Sequence, residues 1–538
     1  MLLKRIRLVP LTPAGSNQYD EECGDKGESE RGRNFSPLPP IPHSPFHNQH
    51  FLPPSLPPPT EFLMTDTRIE HDTMGEMEVP ASALYGASTA RAVENFPIAR
   101  EPVPASVIHA FGHLKDACAQ ANEKLGKLDP RRAAAIRNAS QQVADGQHDG
   151  QFPVDIYQTG SGTSTNMNAN EVIANLANVA LGYAVGATSQ KQSQEGTVHP
   201  NDHVNMGQSS NDTFPTAMHI AGALALSEKL IPALTKLAAA LEGKSKAWDG
   251  LVKIGRTHLM DATPIRVGQV FSGYAAQAKY ASTRAGRALA HLLENMPIGG
   301  TAVGTGINTH PQFAENVCGV LSTKLGIEFQ EAGNHQEAQA AKDSFVAAHG
   351  NLKTIAVSMS KIANDIRHLG SGPRCGLFEL MLPAIQPGSS IMPGKINPVI
   401  CESVMQVACR VIGNDSVVTA AGLGGIGSLF ELNIAMPVMI DAFLESVKLL
   451  ANVADLFVDK LLDGLEVNES RCHELLDQSL MIVTALAPIL GYEKSAAVAK
   501  EALRENKTIR QLCLEQKILP VEALDRALDP MQMTEPKA

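Results

Sequence analysis

The chain has 538 residues, of which 45 are Lys or Arg and 56 are Asp or Glu, so its formal net charge is −11. This acidic balance gives no electrostatic footprint for nucleic acid or an anionic membrane, and no apolar run reaches the roughly 18 residues of a membrane-spanning helix. Aromatic residues make up only 4% of the chain, which favours helices over extensive β-structure.

The eight cysteines are scattered along the chain without a CxxC pair or a zinc-binding Cys/His spacing. Free thiols of this kind are typical of a reducing compartment. The sequence therefore predicts a cytoplasmic protein with no metal site.

Residues 1–63 differ in composition from the rest, with twelve prolines and an acidic patch between Asp20 and Glu30. Such a segment cannot form a core, so we expect it to be extended or disordered. Residues 1–9 are basic and apolar, which suggests a targeting signal, but no apolar region of useful length follows them. Met64, where the globular pattern begins, is the predicted start of the native protein.

From residue 64 onward, apolar residues recur mainly with helical spacing. Long amphipathic helices are predicted over residues 221–241, 269–293, 337–369 and 401–421. Several such helices in succession, joined by short connections, form an elongated bundle. The predicted fold is all-α. Its predicted parts are a mainly helical N-terminal domain (64–208), a central long-helix bundle (209–465) and a small C-terminal helical domain (466–538).

Four polar segments rich in Gly, Ser, Asn and Pro interrupt the helices. They are residues 158–168 (QTGSGTSTNMN), 199–212 (HPNDHVNMGQSSND), 255–264 (GRTHLMDATP) and 386–398 (QPGSSIMPGKINP). The last one carries hydroxyls, a cation and an amide on a Pro- and Gly-rich loop, which is typical of an active-site lid. Composition alone also allows a solvated connection between two helices.

The sequence GSSIMPGKINP in the last segment closely resembles the signature of the fumarase/aspartase superfamily of lyases. The other three segments resemble that family's remaining substrate-binding regions in the same order, and the resemblance covers essentially all of residues 64–538. Ser161 and Gly394 stand where aspartases tend to have alanine, so the chain is most similar to the class II, iron-independent fumarases. It departs from the family pattern in its proline-rich extension and in having no basic residue just before His199.

The resemblance implies a fumarate hydratase, a hydro-lyase that needs neither a metal nor an organic cofactor. The implied reaction is the reversible anti hydration of fumarate to (S)-malate through an aci-carboxylate carbanion, as in the citric acid cycle. The implied subunit has the three-domain, all-α fumarase/aspartase architecture, and its central bundle packs into the core of a homotetramer. Each active site is implied to be shared between three subunits. Long helices separate the four segments, so one chain is not expected to bring them all within catalytic distance.

Elimination of water from malate requires a base for the C3 proton, donors for the carboxylate that gains charge, and an acid for the departing hydroxyl. By resemblance Ser389 is the base, Lys395 stabilises its alkoxide, and Asn397 donates to the developing charge. The residues implied to bind substrate are Ser161, Gly162, Thr163, Ser209, Ser210, Asn211, Thr257, Ser390, Lys395 and Asn397.

His258 resembles the family's active-site histidine. With Glu402 it is implied to polarise a water on the hydroxyl side of the reaction, since a carboxylate partner raises the basicity of imidazole. Asn166 and Asn168 are expected to support the residues that bind substrate, and the alternative is that they cap the following helix and hold the loop through side-chain to backbone bonds.

A further group resembles a secondary dicarboxylate site, and the alternative is a turn that caps a helix. The group consists of His199, Pro200, Asn201 and Asp202.

Two other functions remain open at this level. An aspartate ammonia-lyase would share the carbanion intermediate but handle an ammonium group. A catalytically inactive helical scaffold would keep the architecture without the reaction, although the presence of Ser389, Lys395, Asn397, His258 and Glu402 together argues against it.

Overall fold

The computed structural model describes residues 66–188 and 195–536. The predictions of an extended segment over residues 1–63 and of a start at Met64 lie outside the described residues. Among the helices that the structure describes, none is both long and apolar enough to cross a bilayer.

The described residues form mostly α-helices, as the composition and periodicity predict. In chain order the α-helices are α1 Ala87–Asn95, α2 Ala105–Lys124, α3 Pro130–Ala144, α4 Thr163–Ala180, α5 Ser210–Ala225, α6 Ile231–Ala247, α7 Val267–Leu293, α8 Phe313–Leu325, α9 His335–Ala340, α10 Asp343–Leu369, α11 Val399–Gly422, α12 Met436–Phe457, α13 Glu469–Gln478, α14 Ala487–Leu490, α15 Tyr492–Glu505, α16 Ile509–Glu515 and α17 Val521–Ala527.

The strands are short. They are β1 Thr67–Asp72, β2 Gly75–Pro80, β3 Val252–Thr257, β4 Met260–Arg266, β5 Leu380–Met381, β6 Ser428–Leu429, β7 Leu432–Asn433 and β8 Glu466–Val467. They pair antiparallel as β1–β2, β3–β4, β5–β8 and β6–β7. The polar segment 255–264 therefore lies largely in a β-hairpin.

One large apolar core joins the long helices, with α6 packed on α7, α7 on α10, α10 on α11 and α11 on α12. The buried face of α7 shows why these helices approach closely, because alanines recur along it at helical spacing. Those residues are Ala275, Ala278, Ala281, Ala285 and Ala288.

Two of the four predicted long helices are confirmed as α7 and α11, and the predicted 221–241 helix contains a π-helical turn at Leu226–Leu230 between α5 and α6. The prediction of one helix over 337–369 is wrong, because the chain breaks between α9 and α10 at Lys342. The buried Lys342 ammonium donates to three carbonyl oxygens at the end of α9, which stabilises the break.

A second, smaller core lies in the C-terminal part and also takes in the hairpin. Val252 and Ile254 of β3 pack with apolar residues of the helices that follow α12, among them Leu476 and Leu512. This packing fixes the base of the β3–β4 hairpin. The domain boundaries at 208 and 465 stay predictions.

Candidate active site

Three hydroxyl groups meet where two helices begin. Thr163 is the first residue of α4 and Ser210 the first of α5, and their hydroxyl oxygens lie 2.7 Å apart. Ser161 Oγ lies 2.7 Å from Thr163 Oγ1 and extends the chain of hydroxyls. Helix N-termini favour negative charge, and hydroxyls can rotate to donate to it. We call Ser161, Thr163 and Ser210 the hydroxyl cluster.

Gly162 allows the cluster to form. Its φ of 72° lies in the left-handed region, and a Cβ added there would lie 2.0 Å from the Phe214 ring. Any side chain would therefore push the turn away from α5. Gly162 therefore shapes the turn before α4 through its backbone conformation.

A capping box fixes the turn before α5. Ser209 Oγ accepts from the Asn211 N–H at 3.2 Å, and the Asp212 carboxylate accepts from the Ser209 N–H at 2.9 Å. Asn211 Nδ2 donates to the Ala302 carbonyl at 2.8 Å. Asp212 is fully buried, and this desolvation raises its pKa to about 6.

The capping alternative for Asn166 and Asn168 is wrong, because both lie inside α4, after its first residue Thr163. Their supporting role takes another form. Asn168 Nδ2 donates to the Gln151 carbonyl at 3.0 Å, and Asn166 Oδ1 accepts from the Lys115 ammonium at 2.9 Å.

Lys115 was missed because a lysine on an amphipathic helix is ordinarily solvated. Its helical spacing indicates burial, because Lys115 lies four residues after Phe111 and three before Cys118, on the buried face of α2.

Ser389 lies in the lid segment (residues 386–398), and its hydroxyl faces backbone donors. Ser389 Oγ accepts from the N–H groups of Ile391 at 3.3 Å and Met392 at 3.1 Å. Hydrogen bonds of this kind stabilise an oxygen that becomes negative.

The lid segment closes on itself. The Gly388 N–H donates to the Lys395 carbonyl at 2.8 Å, and Asn397 Nδ2 donates to the Gly388 carbonyl at 2.7 Å. The side chains of Ser390 and Lys395 are exposed, whereas Ser389 and Asn397 are half-buried.

His258 occupies the tip of the β3–β4 hairpin, next to Thr257, and both residues are exposed. The root of the hairpin is held by a buried ion cluster. Glu379 is 1% exposed, and its Oε2 lies 2.8 Å from Arg256 and 3.3 Å from Lys253. Glu379 thereby anchors the strand that leads to His258.

Known proteins similar to this chain are lyases. Residues 75–413 match the family model described as Lyase, and residues 482–535 match the one described as Fumarase C C-terminus. The class II fumarate hydratase of Mycobacterium tuberculosis (strain ATCC 25618 / H37Rv) is 53% identical over 471 residues, which are 87% of this chain and 96% of that protein. That of Nitrosomonas europaea is 49% identical over 472 residues, covering 88% of this chain and 100% of that protein. The chain belongs to the class II fumarate hydratase family.

Solved structures of similar proteins share the fold. The class II fumarase from Schistosoma mansoni has a TM-score of 0.83 at 37% identity and covers 88% of this chain and 100% of that chain. A fumarate lyase:delta crystallin from Brucella melitensis has a TM-score of 0.83 at 43% identity, and the match covers 88% of this chain and 100% of that chain. The predicted family, helical lyase fold and hydro-lyase class are confirmed.

The described contacts of one chain do not bring all the predicted catalytic residues together. Within the described ranges, no hydrogen bond or ion pair joins Ser389, His258 and Glu402 to one another or to the hydroxyl cluster. Glu402 lies in the first turn of α11 and is half-buried. The catalytic roles of these three residues stay predictions.

The segment around His199 forms a capped turn. His199 Nδ1 accepts from the N–H groups of Asn201 at 3.3 Å and Asp202 at 3.1 Å, and Pro200 begins the π-helical turn that follows. The lining of the adjoining cavity of about 320 Å³ includes the carboxylates of Glu70, Asp72 and Glu171. These contacts favour the capping alternative, and the secondary dicarboxylate site stays a prediction.

Proposed function

We propose that this protein is a metal-independent fumarate hydratase that interconverts fumarate and (S)-malate, with Ser389 as the base. Relatives named class II fumarate hydratase, which match nearly their whole length, support the reaction. The observation that carries the assignment of the base is the pair of backbone N–H groups aimed at Ser389 Oγ. A serine acts as a base only as its alkoxide, and these donors, with the nearby Lys395, stabilise that charge.

In the elimination direction, the Ser389 alkoxide takes the C3 proton of malate. The electron pair of the C–H bond moves into the adjacent carboxylate and forms the aci-carboxylate dianion, to which Lys395 and Asn397 donate. The C2 hydroxyl then leaves as water after it accepts a proton through a water that His258 and Glu402 polarise. Hydration of fumarate is the reverse sequence.

The hydroxyl cluster binds the remaining carboxylate. Its hydroxyls and the first turns of α4 and α5 offer donors and helix N-termini, and among the described contacts no cationic side chain donates to these hydroxyls. Ser209 and Asn211 complete the turn at α5, while Thr257 and Ser390 approach from the hairpin and the lid segment.

Assembly into a homotetramer would bring Ser389, His258 and the hydroxyl cluster of different subunits together. We propose that each site takes the hydroxyl cluster, the hairpin and the lid segment from three different subunits. The exposed positions of His258 and Lys395 are consistent with contacts made in such an assembly. A cytoplasmic location is part of the same proposal.

The direct test is the ultraviolet absorbance of purified, chelator-treated protein mixed with malate and, separately, with aspartate. We expect the fumarate double bond to appear from malate alone, at a rate that the chelator does not change. Absorbance from aspartate alone would make the protein an ammonia-lyase, and no change with either compound would favour an inactive scaffold.

A further inference from the structure

A fully buried lysine lies behind the two turns that carry the hydroxyl cluster. Lys115 of α2 is 0% exposed. Its ammonium donates to the side-chain oxygens of Asn166 at 2.9 Å, Asn205 at 3.0 Å and Gln208 at 2.9 Å. Asn166 belongs to the start of α4, whereas Asn205 and Gln208 immediately precede α5. Lys115 therefore connects the starts of the two helices whose first residues are Thr163 and Ser210.

The charge of this ammonium is not neutralised by contact. All three acceptors are neutral amide oxygens, and burial lowers the pKa of Lys115 to about 8, so the charged form predominates at neutral pH. Asp212 acts on it through space, but the Asp212 oxygens accept from the backbone N–H groups of Ser209, Gly299 and Thr301. A buried cation without an anionic contact is costly to keep. An anion bound at the adjacent turns offsets that cost.

We propose that Lys115 is a positioning residue for the substrate: it holds the two turns of the hydroxyl cluster together, and its charge favours a carboxylate at that cluster. The proposal rests on the proposed function. Lys115 acts through Asn166, Asn205 and Gln208 and does not itself touch the substrate. Its contribution should be the same in the ground state and the transition state, so its loss should raise KM more than it lowers kcat.

The substitution Lys115→Met removes the charge and leaves most of the network satisfied. Asn166 Oδ1 also accepts from Thr213 Oγ1 at 3.0 Å, and Asn205 Oδ1 accepts from Asn166 Nδ2 at 3.2 Å. Among the described contacts, Gln208 Oε1 loses its donor outright, and Asn166 Oδ1 shares the single Thr213 hydroxyl proton with the Ser209 carbonyl. The variant is therefore expected to fold.

Lys342 provides a matched control. It is 1% exposed, and its ammonium donates to three neutral oxygens, but these are the backbone carbonyls of Ala338, Gln339 and Ala341 at the end of α9. Lys342→Met deletes a buried ammonium of the same kind without touching the two turns. A loss caused only by poorer packing should appear in both variants.

The experiment compares steady-state kinetics with malate and fumarate, and competitive inhibition by succinate, in wild type, Lys115→Met and Lys342→Met. We expect Lys115→Met to raise KM and the succinate inhibition constant at least about tenfold, with kcat reduced less than about threefold. Lys342→Met should leave both constants within about twofold of wild type, even if its unfolding midpoint falls.

Gln208→Met decides the question if Lys115→Met does not fold, because it removes one acceptor and keeps the lysine. We expect a KM increase of about threefold in this variant. Unchanged KM and succinate inhibition in a folded Lys115→Met protein would overturn the proposal. If Lys115→Met does not fold, the same result in Gln208→Met would overturn it. Wild-type protein inactive on malate and fumarate would instead overturn the proposed function.

Discussion

The hydroxyl cluster and the lid segment are proposed to carry complementary parts of the same reaction, yet they are built in opposite ways. Ser161, Thr163 and Ser210 are joined to one another, and the turns that bear them are tied to buried groups such as Lys115. The lid segment holds its shape through hydrogen bonds among its own residues, and the side chain of Lys395 is exposed. The difference teaches that one chain fixes the hydroxyls proposed to bind a carboxylate but leaves the proposed base on a loop without such ties to buried groups.

This contrast fits the proposed roles of the two regions, which are substrate binding by the hydroxyl cluster and proton transfer by the lid segment. Binding needs donors held at fixed spacing, which packed helix starts provide. A base on an exposed loop can close over the substrate and reopen for product release. Substitutions in the two regions should therefore separate KM from kcat.

The largest effect is expected at the lid segment. Ser389→Ala removes the proposed base and should lower kcat at least about 1,000-fold, with little change in KM because the hydroxyl cluster is intact. Single-turnover and steady-state rates with malate measure this. Thr323→Ala, which deletes an exposed hydroxyl on α8, is the control, and near-normal turnover in Ser389→Ala would refute the assigned base.

A smaller effect, with the opposite signature, is expected at the hydroxyl cluster. Thr163→Val removes the central hydroxyl without changing the size of the side chain and should lower kcat/KM about 100-fold, mainly through KM. Thr216→Val is the matched control on α5, since it removes a buried hydroxyl that donates to the Asp212 carbonyl. Equal kinetics in the two variants would mean that the cluster does not bind substrate.

The hairpin should respond in both stability and rate. Arg256→Met leaves Glu379 with only Lys253, which should lower the free energy of unfolding by roughly 2 kcal/mol and kcat by about tenfold, because the strand leading to His258 loosens. Urea unfolding and kcat measure these effects. Arg510→Met, which breaks an exposed pair with Asp525, should change neither, and an Arg256→Met enzyme with full kcat would contradict the anchoring role.

The smallest effect concerns pH and the core beneath α5. Burial lowers the pKa of His219 to about 4, so the folded state binds fewer protons than the unfolded state below pH 6.5 or so. Stability from this group is present above about pH 6.5 and is lost as pH falls towards 4. Relative to His219→Gln, wild type should lose roughly 2 kcal/mol between about pH 7 and pH 4.5. Parallel pH profiles of unfolding free energy in the two proteins would contradict this.

The sequence predicted the long helices well because their apolar spacing is set by the core that they form. It predicted one helix over 337–369 because the periodicity continues across Lys342, and only the structure shows that this lysine bonds the carbonyls that end α9. Residues 255–264 are polar and carry no alternating apolar pattern, so the sequence predicts only a break between helices there, whereas the structure pairs Thr257 with Met260 in a hairpin.

The candidate site followed from resemblance rather than from periodicity. The motif around Ser389 and the TGSGT turn identified the residues, but no pattern in the sequence states that Thr163 meets Ser210 or that Lys115 lies behind both. Those contacts depend on how α2, α4 and α5 pack, which the sequence does not encode locally.

The most direct test of the central claim, that separate chains complete each site, is complementation between inactive variants. Ser389→Ala and His258→Asn chains carrying different tags are unfolded together, refolded and purified through both tags. If lid segment and hairpin come from different subunits, about a quarter of the sites regain both groups, and activity should return well above that of either variant alone. Mixed assemblies no more active than the separate variants would contradict the shared site.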